Sequence, residues 1–193
     1  LKKKYAIKNN KIVISWIHRI SPEKGLEDFI KSAKLLLEKH KDIVFYVVGD
    51  IIGEYALEYK KKQLELAAKL GIDAHFHFTG FVDNPFTYFQ LSDICVFTNP
   101  VEAFGKVCAE AMSCGIPIIT PDEGGMAEIN KENETGLYYK SGDEKDLADQ
   151  IFCLINDLQE RKKMGEKGRN RVIEKFNLDK MANELSSLYN DMV

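Results

Sequence analysis

The sequence lacks the features that mark several large classes of protein. No apolar run approaches the roughly 20 residues that a membrane-spanning helix needs, and no signal peptide is visible. The formal net charge of -3 provides no general field that would hold the domain on a nucleic acid, so nucleic-acid partners are not expected. The glycine fingerprint of dinucleotide-binding folds and the phosphate-binding loop are both absent after the first predicted strand. Their absence argues against a dehydrogenase or a kinase.

Cysteine and histidine are also scarce. The four cysteines lie inside apolar stretches and form no Cys-x-x-Cys pair, so we expect buried free thiols rather than disulfides or zinc. They are Cys95, Cys108, Cys114 and Cys153. His75 and His77 alternate along a strand-like segment with no acidic or thiol ligand nearby in sequence, so no metal site is predicted.

What the sequence contains is an alternation of apolar segments and amphipathic helices. Segments 11–17 and 42–49 are nearly uninterrupted apolar runs, typical of strands buried on both faces of a parallel sheet. Shorter segments complete a set of about six strands: 75–80, 93–98, 115–120 and 135–140. Amphipathic stripes predict helices between the strands and over roughly the last fifty residues. The pattern predicts a single α/β domain over 1–193, with a Rossmann-like, doubly wound parallel sheet.

Residues at the predicted element boundaries agree with this pattern. Asp143 is a good N-cap for a late helix, and Gly71 and Gly115 stand where two earlier helices are expected to end. The chain begins at Leu1 rather than at Met, which we interpret as a piece of a longer polypeptide.

Two cations stand in the turn after the first strand. Arg19 and Lys24 fall where the first helix opens, and a helix amino terminus already carries about +0.5 of a charge. This arrangement is unfavourable unless the groups share an anion, and a diphosphate would supply one. The alternative is a pair of solvated side chains, with Lys24 pairing with Glu27 or Asp28.

Two carboxylates, Glu102 and Glu110, flank the start of another predicted helix, which we expect to begin near Phe104. Gly105 would let a ligand approach the free backbone N–H groups there. Eight residues of helix rise about 12 Å, similar to the span from a ribose to the sugar of a nucleotide diphosphate sugar. Carboxylates pair well with vicinal hydroxyls, so each acid suits one end of such a ligand. The alternative is an acid favoured at a helix start and a solvated Glu110–Lys106 ion pair.

Two further loops are expected at the same edge of the sheet. Gly124 and Gly125 predict a flexible loop before a short helix bearing Glu128, and an ordinary turn is the alternative. Phe81 and Val82 offer an apolar surface and backbone groups to a base, and an ordinary core aromatic is the alternative for Phe81. Four loops at one edge that suit one extended ligand favour a binding site.

These segments, taken in order, resemble a known family. Its members are the retaining glycosyltransferases of the glycogen-synthase-like and sucrose-synthase-like type, often called family four. Their C-terminal half is matched in order and spacing by HRISPEKGLEDFIKSA, VVGD, FTGFVDN, DICVFTNPVEAFGKVCAEAMSCGIPIITPDEGGMAEI and ETGLYY. The resemblance covers essentially residues 11 to 190. It implies the GT-B architecture of two Rossmann-like halves facing a cleft, with this chain as the half that binds the nucleotide-sugar donor.

The resemblance also implies roles for the candidate residues. Arg19 and Lys24 match the basic pair that neutralises the donor diphosphate, so no metal or other cofactor is expected. Glu102 matches the acid that contacts the transferred sugar, and Glu110 the acid that holds the ribose hydroxyls. The backbone groups that cradle sugar and phosphate match those of Phe104, Gly105, Lys106 and Val107.

Other positions extend this assignment, and one departs from it. Phe81 and Val82 match the base-contacting stretch, and Gly124 and Gly125 are assigned to the donor site with them. His18 stands where many relatives have Gly immediately before the basic Arg. A side chain there narrows the room beside the phosphates or adds a hydrogen-bond donor to them.

For the whole enzyme, the resemblance implies transfer of a sugar to an acceptor hydroxyl with its configuration retained, most often in polysaccharide or glycolipid assembly. The acceptor site would lie on an N-terminal domain of the same polypeptide, and segment 178–193 resembles the helix that crosses back to it. We expect weak donor binding without transfer by this chain alone, a cytoplasmic location, and any membrane contact through the missing half. The alternatives are a standalone nucleotide-binding module and another GT-B enzyme such as a nucleotide-sugar epimerase, which the acid pair disfavours.

Overall fold

The computed structural model describes residues 1–8 and 10–191, and its centre is a parallel sheet of six strands. The strands are β1 (Ile12–Ile17), β2 (Ile43–Val48), β3 (Phe76–Phe78), β4 (Ile94–Val96), β5 (Ile118–Pro121) and β6 (Gly136–Tyr139). They lie in the order β3-β2-β1-β4-β5-β6, with neighbouring strands parallel. This is the strand order of a doubly wound, Rossmann-like sheet, so the predicted fold class is confirmed.

Helices separate the strands and follow the last one. They are α1 (Leu26–Lys39), α2 (Leu57–Lys69), α3 (Phe86–Leu91), α4 (Lys106–Ser113), α5 (Gly124–Ile129), α6 (Glu144–Asn156), α7 (Leu158–Lys175) and α8 (Leu178–Asp191). Short 3-10 turns occur at Pro22–Lys24, Glu54–Ala56 and Asp73–His75. Asp143 caps α6 as predicted, because its carboxylate accepts hydrogen bonds from two backbone N–H groups of the first turn. Gly71 and Gly115 follow α2 and α4 in the left-handed conformation, as their predicted role requires.

Helices cover both faces of the sheet, which explains the nearly continuous apolar runs. Successive side chains of a strand point to opposite faces. Ile14 and Trp16 of β1 therefore join the core cluster under α1 and α6, whereas Val13 and Ile17 join the cluster under α3 and α4. All four are fully or almost fully buried, and burying a large apolar side chain contributes about 1.5–3 kcal/mol. β1 is thus a firmly held support for the loop at its carboxyl end.

The cysteines differ in exposure. Cys95 and Cys108 are buried in the core, Cys114 is partly buried and Cys153 is exposed, and all four are free thiols. Burial raises the pKa of Cys95 to about 12, so this thiol stays protonated. The expectation of a buried thiol is wrong for Cys153, because it lies on the face of α6 that points away from the sheet.

The last helix is amphipathic and exposed. Its apolar residues recur at helical spacing, and each is more than two fifths exposed. They are Leu178, Met181, Leu185, Leu188 and Tyr189. The predicted helix over 178–193 is observed up to Asp191, and residues 192 and 193 lie outside the described residues. Across the described ranges, no helix has the length and apolar character needed to cross a membrane.

Candidate functional site

The loops that carry the candidate residues meet at the carboxyl edge of the sheet. β1 lies between β2 and β4, so the chain leaves β1 towards one side of the sheet and leaves β4 towards the other. In open α/β sheets such a switch point leaves a crevice between the two loops, where ligands bind. The β1 loop carries Arg19 and Lys24, and the β4 loop carries Glu102.

An ion pair joins these two loops. Lys24 Nζ lies 2.6 Å from Glu102 Oε2, and Asn99 Nδ2 donates a second hydrogen bond to the same oxygen at 2.9 Å. The Lys24 side chain is only 12% exposed and that of Glu102 is 24% exposed, so water screens the pair weakly. The hydrogen bond from Lys24, followed by its charge and the bond from Asn99, lowers the pKa of Glu102, which is therefore ionised at neutral pH. The alternative in which Lys24 pairs with Glu27 or Asp28 is wrong.

A chain of buried hydrogen bonds positions Lys24. Trp16 Nε1 donates to Thr98 Oγ1 at 2.8 Å, and Thr98 Oγ1 donates to the backbone carbonyl of Lys24 at 2.7 Å. Gly25 follows with a φ of 68°, and a Cβ on it would stand 2.5 Å from the Thr98 carbonyl oxygen. Only glycine fits this close approach. These positioning residues were not predicted, although Thr98 ends the strand predicted over 93–98 and Asn99 directly follows it.

Arg19 is held more loosely than Lys24. Its guanidinium contacts Glu23 at 3.0 Å, and both side chains are at least 40% exposed. Ser21 Oγ also donates to Glu23 at 2.7 Å, and this bond is the largest cause of the lowered pKa of Glu23. Exposed ion pairs contribute little to stability, about 0–1 kcal/mol. Arg19 is therefore free to exchange Glu23 for a stronger anion.

The second predicted carboxylate lies on the first turns of α4. Lys106 Nζ stands 3.6 Å from Glu110 Oε1, so the local ion pair weighed as an alternative is present. Lys106 is 84% exposed, which makes this pair weak. Glu110 also lines a cavity of about 350 Å³ together with Phe81, Val82 and Val107. Arg19 lines the same cavity, so the structure brings five of the predicted site residues around it.

A partly exposed carboxylate, Asp50, also lines this cavity. Asp50 accepts hydrogen bonds from Lys60 Nζ at 2.6 Å and from the Ile51 backbone N–H at 2.8 Å. These two bonds are the largest causes of its lowered pKa, and the backbone N–H of Phe81 contributes as well. Asp50 therefore links the β2 loop to the β3 loop. Phe81 itself is 77% exposed, so its interpretation as a core aromatic is wrong.

The start of α4 differs slightly from the prediction. The helix begins at Lys106, with Gly105 as its N-cap in the left-handed conformation, φ 84°, rather than near Phe104. Gly105 is buried, and a Cβ there would come within 2.9 Å of the Met126 side chain. Phe104 is half exposed, and its ring meets the Phe176 ring edge-on at 5.9 Å.

The paired glycines lie in a helix rather than in a loop. Gly124 and Gly125 form the first residues of α5, which also carries Glu128. The backbone N–H of Gly125 donates to the Glu102 carbonyl at 2.8 Å, and a Cβ would stand 2.1 Å from the Ala103 carbonyl oxygen. The prediction of a flexible loop is wrong, because Gly125 is buried against the β4 loop. Its small size lets α5 support the segment that presents Glu102.

Within the described parts of the chain, no group of three or more His, Cys, Asp or Glu side chains is arranged to hold a metal ion. His75 instead places Nδ1 3.0 Å from the Ile43 carbonyl, and His77 stacks on Tyr46.

The sequence that forms this fold matches a known family. Residues 1–171 match the family model described as Glycosyl transferases group 1. The chain belongs to this family. The match ends before α8, so family membership rests on the sheet and its flanking helices.

Curated relatives of this family member include bacterial transferases. The chain is 31% identical to the capsular polysaccharide biosynthesis glycosyltransferase CapM of Staphylococcus aureus, over 98% of this chain and 49% of that protein. It is 30% identical to the N-acetyl-alpha-D-glucosaminyl L-malate synthase of Bacillus anthracis, over 100% of this chain and 49% of that protein. The chain therefore spans about half the length of these relatives.

Solved structures of similar fold include a longer chain and an isolated domain. HepE of Anabaena in complex with UDP has a TM-score of 0.92 at 21% identity, over 98% of this chain and 51% of that chain, a likeness of fold. The C-terminal domain of the group 1 family protein LpcC from Francisella tularensis has a TM-score of 0.82 at 27% identity, over 91% of each chain. This chain matches that domain as a unit.

Proposed function

We propose that this chain is the donor-binding half of a retaining glycosyltransferase, which transfers a sugar from a nucleotide diphosphate sugar to an acceptor hydroxyl. The observation that carries the proposal is the contact between Lys24 and Glu102. It places the cation assigned to the diphosphate directly beside the carboxylate assigned to the transferred sugar, at the switch point of the sheet. Family membership and the UDP-bound HepE structure, which has the same fold, support this assignment.

The proposed donor runs along the crevice. Phe81 and Val82 would contact the base, and Glu110 would accept hydrogen bonds from the ribose hydroxyls at the cavity it shares with them. Arg19 and Lys24 would bind the diphosphate. Backbone groups of segment 104–107 would hold the junction of phosphate and sugar, supported from below by Gly124 and Gly125.

The chemistry proposed for the cations is charge stabilisation. When the bond between the anomeric carbon and the diphosphate breaks, negative charge grows on the departing oxygen. Arg19 and Lys24 would stabilise that charge, and groups placed in advance for this purpose act strongly in a site that excludes water. These two cations would supply the role that a divalent metal has in other transferases, so we propose that no metal or other cofactor is required.

The rest of the enzyme would supply the acceptor site. We propose an N-terminal domain on the same polypeptide, with α8 as the helix that crosses back to it, since its apolar stripe is exposed. We further propose a cytoplasmic role in polysaccharide or glycolipid assembly, with any membrane contact made through that N-terminal domain. The CapM relative, which acts in capsular polysaccharide biosynthesis, supports this setting.

Thermal unfolding of the chain with UDP, GDP, ADP and their sugars tests the proposal. A ligand at ten times its dissociation constant adds about 1.4 kcal/mol, because only the folded state binds it. For a domain of this size the melting temperature should rise by about 3–6 °C. We expect this shift for one base, with and without Mg²⁺, and its loss in Arg19→Ala and Glu110→Gln. Matched changes on the exposed face of α7, Arg169→Ala and Glu166→Gln, should retain it.

Two outcomes would count against the proposal. If no nucleotide or nucleotide sugar shifts the melting temperature at millimolar concentration, the chain has no donor site of its own. If Glu102→Gln lowers the affinity for the nucleotide and for the nucleotide sugar by the same factor, Glu102 does not contact the sugar. A standalone nucleotide-binding module would then explain the data better.

A further inference from the structure

One polar atom in the crevice has no partner. His18 directly follows β1, and its backbone N–H donates to the Val48 carbonyl at 3.1 Å. Its ring packs against Trp16 at 5.4 Å between ring centroids and meets Phe97 edge-on at 5.6 Å. Nε2 is buried and makes no hydrogen bond to any residue that the structure describes. Buried polar atoms are nearly always paired, so an unpaired one within a proposed binding site points to a ligand.

Burial keeps the His18 ring neutral, and two nearby cations add to this effect. Burial is the main cause that lowers the pKa of His18, from 6.5 to about 3. The cations of Lys24 and Arg19 lower the pKa further, and the carboxylate of Glu102 opposes them. A neutral imidazole has one N–H donor and one acceptor nitrogen. The ring can therefore donate a hydrogen bond to an anion without carrying a charge itself.

The surroundings of His18 suggest which part of a ligand it meets. The residue lines the cavity that also contains Glu110, Phe81 and Val82. It is also close enough to Lys24 and Glu102 for their charges to act on its pKa. It is therefore near both the proposed nucleoside pocket and the proposed sugar carboxylate. A diphosphate lies between these two parts of a nucleotide diphosphate sugar.

A ligand reaches the buried Nε2 only if a neighbouring side chain moves. A diphosphate attracts the neighbouring cations Arg19 and Lys24. The Lys24 ammonium can move because it sits on a flexible stem and Glu102 holds it at only one carboxylate oxygen. Asn99 stays bonded to Glu102 when Lys24 turns away, so the carboxylate keeps one of its hydrogen bonds.

We propose that His18 is a donor-binding residue, whose Nε2 hydrogen-bonds the diphosphate once Lys24 turns from Glu102 towards that diphosphate. This inference rests on the proposed function and adds a neutral group to its two cations. His18 therefore contributes to affinity for the diphosphate and not to recognition of the base.

Calorimetric titration of wild-type and variant chains with a nucleoside monophosphate, the diphosphate and the diphosphate sugar tests this. His18→Phe keeps an aromatic ring and removes Nε2, so we expect its diphosphate affinity to fall about two- to tenfold, one net hydrogen bond, with monophosphate affinity unchanged. His18→Gln carries an amide N–H in place of Nε2 and should recover most of the loss. His40→Phe makes the same change at the far end of α1 and should bind like wild type.

The other results would overturn the inference. Equal loss for all three ligands would mean that the ring only packs, and loss confined to the diphosphate sugar would place the contact on the sugar. No loss in His18→Phe would mean that Nε2 binds nothing. If wild type binds none of the ligands, the proposed function fails together with the inference.

A measurement on the wild-type chain avoids dependence on folded variants. Nitrogen NMR of histidine-labelled protein should show the His18 Nε2 resonance shifting when the diphosphate is added, and staying fixed with the monophosphate. An unchanged resonance at saturating diphosphate would contradict the proposal directly.

Discussion

The contact between α5 and the β4 loop offers a sharp test of how the site is supported. A Cβ on Gly125 would stand 2.1 Å from the Ala103 carbonyl oxygen and 2.8 Å from Phe104 Cα, whereas ordinary contact begins at 3.4 Å. Gly125→Ala therefore requires the β4 loop to move by about 1.3 Å. Gly125 does not lie in the left-handed region, so crowding alone causes the effect.

The expected magnitudes follow from this displacement. Crowding a packed site costs about 1–3 kcal/mol, so the melting temperature should fall by roughly 2–12 °C. The loop that moves also carries Glu102, whose carbonyl accepts the Gly125 N–H bond. A misplacement of about 1 Å reduces activity by up to about a hundredfold in enzymes. We expect affinity for the nucleotide sugar to fall at least about tenfold, measured by calorimetric titration below the melting temperature.

Gly165→Ala is the matched control. A Cβ on Gly165 would stand 2.0 Å from the Gly115 carbonyl oxygen, a clash of similar size between α7 and the end of α4. This variant should lose stability while keeping its affinity for the nucleotide sugar. If Gly125→Ala also keeps wild-type affinity, the α5 contact does not position Glu102 and the reasoning is refuted.

Three further predictions concern stability. Asp143→Ala removes the N-cap of α6 and should lower the melting temperature by about 2–4 °C, for a loss of about 1 kcal/mol, with nucleotide affinity unchanged; an unchanged melting temperature would contradict this. Thr98→Val leaves Trp16 Nε1 buried without its acceptor and should lower the free energy of unfolding, measured in urea, by about 1–3 kcal/mol. An unchanged urea midpoint would show that this hydrogen bond does not stabilise the fold. Burial lowers the folded-state pKa of His18 to about 3, so its stabilising contribution is complete above pH 6.5 and is lost as pH falls from 6.5 towards 3. Between pH 7 and pH 5, the free energy of unfolding measured in urea should fall less for His18→Phe than for wild type. Equal decreases would contradict a lowered pKa of His18 in the folded state.

The sheet was predictable because burial on both faces leaves a direct signal. Strands covered by helices on each side need apolar residues at every position, and β1 and β2 show such runs. Two interactions between residues close in the sequence were also foreseen correctly, the N-cap at Asp143 and the Glu110–Lys106 pair. In each case the interacting groups are close along the chain.

The contacts that build the site were not predictable, because they join distant segments. Local charge patterns suggested Glu27 or Asp28 as partners for Lys24, but the partner is Glu102, 78 positions away. The paired glycines indicated a flexible loop, whereas tertiary packing buries Gly125 against another loop. A glycine in the sequence can mark a position where a side chain does not fit, but it does not show which part of the structure packs against that position.

The long separation between Lys24 and Glu102 has a consequence for the order of folding. Their contact depends on the pairing of β4 with β1, and β4 follows β2 and β3 in the chain. On a ribosome, β1, α1 and β2 can form a βαβ unit before Glu102 has been synthesised, and long-range pairing of this kind is slow. The crevice is therefore assembled late, after the half of the sheet that supports it. A nascent chain that stops before residue 102 contains both cations of the site but lacks the carboxylate that holds Lys24 in place.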